Sequence, residues 1–106
     1  MKKSDKKIEN TLRVALTEAC EEALHQVEGF KWLTHDVSNS DYSQGGFPAS
    51  LSVECTFDTN EAWAAAQLSG QDVLLRQLIT AKLAKFGIDI KTSKQQVRFV
   101  TLEQVN

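Results

Sequence analysis

Leu51-Ser52-Val53-Glu54-Cys55-Thr56-Phe57 is the stretch on which the fold turns. Its apolar side chains, Leu51, Val53, Cys55 and Phe57, alternate with Ser52, Glu54 and Thr56. Successive strand residues point to opposite faces, so this segment reads as a strand with one dry face and one wet face. Asp58-Thr59-Asn60-Glu61 follows at once and reads as a capping box that opens a helix. A half-wet strand running straight into a helix predicts an α+β domain with helices on one face of its sheet.

Downstream, Trp63, Ala64 and Leu68 give the first helix its apolar side, and Ser69-Gly70 breaks it. Ser69 with Asp72 is expected to cap a second helix bearing Leu74, Leu75, Leu78, Ile79, Leu83 and Phe86, closed by Gly87. Ile88-Asp89-Ile90, a polar turn at Lys91 to Lys94, and the alternation of Val97, Phe99 and Thr101 then read as a hairpin. Upstream, Phe30 to Val37 is aromatic and β-branched, which predicts a strand. Residues 38–49 form a polar, glycine-containing loop that holds the only proline, Pro48.

The N-terminal part is a helix by periodicity. Ile8, Leu12, Ala15, Leu16, Ala19, Cys20, Ala23, Leu24 and Val27 recur in steps of three and four, opposite an acidic face. Ser4 or Asp5 can cap its start, and Gly29 suits its end. Such a helix spans roughly 35 Å, more than a small sheet covers, so one end is free to frame a partner. The predicted order is α-β-β-α-α-β-β in one domain, 1–106. Neighbouring strands usually pair, which predicts two layers with a mostly antiparallel four-stranded sheet.

Composition excludes several classes. The 106 residues are 42% hydrophobic and 25% charged, as in ordinary globular domains, with no apolar run of membrane-spanning length. The charged start, Met1 to Lys7, leads into an amphipathic pattern instead of an apolar signal core. With two cysteines and no need of a bridge, the expectation is a cytoplasmic protein with reduced thiols.

No convergent catalytic set is visible. His25, His35, Cys20 and Cys55 lack metal-ligand spacing, so no metal or cofactor is expected. His35 beside Asp36 has the residue types of a base and its orienter, but adjacent strand residues face opposite ways. Glu18, Glu21 and Glu22 are helix neighbours and read as a solvated acidic face. Among the aromatics, Trp63 reads as core and Trp32 as packed beneath the first helix. Tyr42 and Phe47 in the loop are the candidates for exposed contact.

The charge distribution carries more information than the total of −2. Arg76, Lys82, Lys85, Lys91, Lys94 and Arg98 stand against Asp89 alone, which makes residues 76–98 +5 and leaves −7 for the rest. A polarised chain of this kind can offer a basic face to phosphate, or to its own acidic helix in a dimer.

Leu75-Arg76 through Lys82-Leu83-Ala84-Lys85-Phe86-Gly87-Ile88, preceded by Ala65-Ala66-Gln67-Leu68-Ser69-Gly70, resembles the Fis-type DNA-binding helix-turn-helix over about a quarter of the chain. That resemblance implies a second helix that enters the major groove. More broadly, Gly29-Phe30-Lys31-Trp32-Leu33-Thr34-His35, Phe47-Pro48 and Phe57-Asp58-Thr59-Asn60 resemble small bacterial proteins labelled Fis-family regulators. The likeness implies no activity, cofactor or catalytic residue.

Three functions are therefore in play. The first is a non-catalytic module that binds a protein partner or itself as a homodimer, with Trp32, His35, Tyr42 and Phe47 as contact residues. The second is a nucleic-acid-binding regulator that uses the six basic residues. The third is a small enzyme or ligand binder with a pocket near the 38–49 loop and His35. No membrane partner is expected.

Overall fold

The computed structural model describes residues 3–37, 47, 49–91 and 93–104. Tyr42, Pro48 and most of the 38–49 loop lie outside the described residues. Helix α1 spans Lys3–Gln26, strand β1 Phe30–Val37 and strand β2 Leu51–Phe57. Helices α2, Asn60–Ser69, and α3, Gln71–Lys85, follow. A one-turn helix α4, Ser93–Gln96, leads into strand β3, Val97–Thr101, and a 3-10 turn at Leu102–Gln104.

The fold is α+β, but among the described residues the sheet has three strands, in the order β1-β2-β3, where sequence predicts four. β1 pairs antiparallel with β2, Val37 opposite Leu51 and Leu33 opposite Cys55, with an irregularity between Phe30 and Trp32. β3 pairs parallel with β2, Val53 opposite Val97 and Cys55 opposite Phe99. The expected hairpin is absent because Ile88–Ile90 is not a strand. Its two isoleucines are buried, so the apolar spacing is real, but they serve the core from a stretch without ladder bonds. This stretch carries the chain from Gly87 toward the start of β2, where the Gln96 side chain donates to the Leu51 carbonyl at 2.9 Å. β3 thus begins at the end where β2 begins, and the crossover through α2 and α3 makes the pairing parallel.

Periodicity placed most of the core but not all of it. α2 buries Ala66 and leaves Ala64 and Leu68 exposed. Leu24 and Leu74, expected on apolar faces, are 50% and 40% exposed, because each helix meets the sheet along a narrower stripe than its apolar residues cover. Leu12, Ala15, Leu16, Ala19, Ala23 and Val27 form the buried stripe of α1. They meet Leu51, Val53, Cys55 and Phe57 of β2, Leu75, Ile79 and Leu83 of α3, and Val97 of β3. Trp63 of α2 packs at the margin of this core, 5.3 Å from Phe57 and stacked 4.7 Å from Phe99. The described helices α1, α2 and α3 share this face of the sheet.

The helix caps differ from expectation. α1 already includes Ser4 and Asp5, so neither is its cap. Thr59 caps α2 by accepting from the Ala62 N–H at 3.0 Å. The third helical residue is then Ala62, not Glu61, so the return leg of a capping box is missing. Gly70 alone joins α2 to α3, at φ 80. Its N–H closes α2 onto Ala66 and Gln67 while its carbonyl accepts from Leu74. A one-residue joint leaves no place for a Ser69 or Asp72 cap, and the Ser69 hydroxyl donates back to the Ala66 carbonyl instead. No described helix is long and apolar enough to cross a membrane.

Candidate functional site

β1, β2 and β3 alternate, so whatever points away from the helices forms a second sheet face. Its rows are Trp32 beside Thr56 and Val100, Thr34 beside Glu54 and Arg98, and Asp36 beside Ser52. Trp32 is 45% exposed there. It therefore does not pack beneath α1 as sequence suggests. The irregularity next to Phe30 lets Phe30 stay buried while Trp32 turns to the open side. Arg98 lies 3.6 Å from Glu54 across this face, an exposed pair of small energetic weight.

The other predicted contact residues sit elsewhere. His35 is on the helix side, in a groove of about 290 Å³ between α1 and β1, together with Arg13, Leu16, Cys20 and Leu33. Burial, followed by the nearby Arg13 charge, pushes the His35 imidazole below its ordinary pKa. Asp36 points to the opposite face, so the two do not form a base and its orienter. Phe47 is packed against the core and is not an exposed loop contact. Trp32 and His35 are thus on opposite faces and do not share a pocket.

The six basic residues do not form one surface. Lys82 Nζ stands 3.0 Å from Glu22 Oε2 and 3.6 Å from Glu18 Oε1, and Lys85 Nζ stands 3.6 Å from Glu18. The hydrogen bond from Lys82 holds the Glu22 carboxyl below its usual range, and the same bond raises Lys82. The acidic face of α1 is therefore not simply solvated: Glu18 and Glu22 form the polar seam between α1 and α3. Arg98 belongs to the open sheet face. Arg76 lies over the Phe99 ring, 5.0 Å from its centroid. Lys91 and Lys94 are exposed and have no acid partner among the described residues.

Sequence reasoning missed the stack of Trp63, Phe99 and Arg76. Its members come from α2, β3 and α3, and no local spacing connects them. Cys55 is buried and free, its thiol pushed up to about 12 by burial, and Cys20 is free and half-buried. Among the described residues no three His, Cys, Asp or Glu side chains gather as a metal ion requires.

α2 and α3 are consecutive helices joined by Gly70 alone, a shorter joint than the roughly three- to four-residue turn of a DNA-binding helix-turn-helix, and α3 turns Leu75, Ile79 and Leu83 into the core. The exposed side of α3 presents Val73, Leu74, Gln77, Ala81, Ala84 and Lys85. No known protein family, curated protein or solved structure matches this chain.

Proposed function

We propose that this chain is a non-catalytic protein-binding module that joins a second copy through its open sheet face. The observation that carries the reading is Trp32, a large aromatic left 45% exposed in a row with Thr56 and Val100. Tryptophan is strongly enriched among residues that dominate protein interfaces. The open face is also self-complementary in charge, because it bears both Glu54 and Arg98 with Asp36 near its margin.

Size exclusion with light scattering tests this. The expected wild-type mass at high micromolar concentration is twice 11.8 kDa. Trp32→Lys is expected to give a folded monomer with unchanged circular dichroism. A wild-type chain that runs as a clean 11.8 kDa species overturns the reading.

A nucleic-acid regulator is the second reading, favoured by Arg76, Lys91 and Lys94, which have no acid partner among the described residues. It is weaker because Lys82 and Lys85 spend their charge on Glu18 and Glu22. On the exposed side of α3, Gln77 and Lys85 are the side chains able to read a base edge, among Val73, Leu74, Ala81 and Ala84, and Lys85 is paired with Glu18. Salt-sensitive retardation of labelled DNA, reduced by neutralising Lys91 and Lys94, would restore it.

A further inference from the structure

We infer that the outer groove of α3 binds a small amphiphilic carboxylate, a ligand with one acidic group and a short apolar tail. The groove is shallow and open, with a volume of about 430 Å³, and runs between α3 and Lys94 of α4. Small-molecule sites combine an apolar surface with a few convergent polar groups, and this groove sets an apolar surface beside the Arg76 and Lys94 cations. Its apolar part is Val73, Ala81 and Ala84, with the polar Gln77 between Val73 and Ala81 on the same side of α3. Thr80 adds only its methyl group, because its hydroxyl donates to the Arg76 carbonyl at 2.8 Å.

The charged lining is one-sided. Arg76 and Lys94 both border the groove, and among the described residues no carboxylate does. Elsewhere the chain supplies counter-charges: Arg13 meets Glu9, Lys31 meets Asp58, Lys82 meets Glu18 and Glu22, and Arg98 meets Glu54. Arg76 is the half-buried cation left without one among the described residues. Its Nε is buried and forms no hydrogen bond. Its guanidinium is held over Phe99, which is itself stacked on Trp63.

A guanidinium fixed in place, partly removed from water and lacking an anion is costly unless an acid group completes it. A carboxylate is the planar partner that the arginine fork matches. The apolar floor decides the rest of the ligand: a bare inorganic anion leaves Val73, Ala81 and Ala84 uncovered, whereas an aliphatic tail covers them. The groove lies on the helix side of the molecule. The open sheet face therefore plays no part in it, and the two proposals stand or fall separately.

The test is an amide-resolved NMR titration of the full chain with hexanoate, beside 1-hexanol and inorganic phosphate. Hexanoate is expected to shift the amides of residues 73–84 and 94 saturably, and each control to bind at least about tenfold more weakly. Lys94→Gln, on an exposed helical turn, is expected to weaken hexanoate by about threefold to tenfold with the fold unchanged. Arg76→Gln is expected to weaken it further, and Ala81→Leu, which fills the floor, to abolish it. Equal binding of 1-hexanol overturns the acid requirement, and equal binding of phosphate overturns the tail. Shifts outside the groove, no saturation, or tighter binding of an acidic amphipathic peptide at the same residues also reject the assignment.

Discussion

Gly29→Ala tests how closely the end of α1 is fitted to α2. Gly29 sits at φ +85, in the left-handed region, where an alanine costs about 1–2 kcal/mol from its own Cβ. A Cβ at this position would also stand 2.6 Å from Ala62 Cβ, far inside ordinary contact, which begins at 3.4 Å. Neither atom is the end of a flexible chain, so backbone must move, and forced overpacking of this kind costs about 1–3 kcal/mol. The total is about 2–5 kcal/mol, a large share of a stability of order 5–15 kcal/mol. Gly70 is the control: its φ is +80, but nothing lies within 4 Å of its Cβ direction. Gly70→Ala is therefore expected to lose only the conformational part, about 1–2 kcal/mol. Urea unfolding followed by circular dichroism measures both. In the Gly29→Ala background, Ala62→Gly removes the clashing atom and leaves contacts at 3.8 Å. It should recover stability despite the roughly 1 kcal/mol that glycine costs inside a helix. The reasoning fails if Gly29→Ala is no worse than Gly70→Ala, or if Ala62→Gly rescues nothing.

Other outcomes follow from the same structure. Ile79 is fully buried in α3, so Ile79→Ala is expected to lose about 2–5 kcal/mol in urea unfolding, against a negligible loss for Leu68→Ala, whose side chain is 91% exposed. Burial lowers the His35 pKa below its ordinary 6.5, so on acidification the unfolded chain takes up this proton before the folded one does. Stability should therefore fall as pH drops below 6.5 toward the depressed folded value, and His35→Gln should flatten that part of the curve between pH 7.5 and 5.5. Cys55, with a thiol near 12, is expected to resist a disulfide reagent at pH 8 until the chain unfolds, while half-buried Cys20 reacts in the folded state. Mass spectrometry of the labelled chain distinguishes the two sites.

Part of the candidate site was legible in sequence. The alternation in Leu51–Phe57 predicted a wet face and a dry face: the dry face is buried throughout, while on the other face Ser52 and Glu54 are half-buried and Thr56 is buried. The face on which Trp32 falls was not legible, because one irregularity between Phe30 and Trp32 reverses the alternation and leaves no compositional trace. The positive segment 76–98 was visible as composition, but composition does not say where a charge points. Lys82 lies one helical turn from Ile79 and could have been any solvated lysine. Only the packing of α1 on α3 brings it to Glu18 and Glu22.

By itself the sequence determined what depends on neighbours along the chain: the extents of β1 and β2, the amphipathic stripe of α1, the break at Gly70 and the stop at Gly87. Hydrophobic period and backbone freedom act over a few residues, and those are written locally. Tertiary structure alone decided that β3 runs parallel beside β2, that Ile88 and Ile90 fill the core without joining the sheet, and that Arg76 rests on Phe99 with no acid beside it among the described residues. Each of those is a choice among partners far apart in the chain. Alternating apolar residues fit an edge strand, a hairpin arm or a buried connection equally well until the available space and free ladder bonds select one.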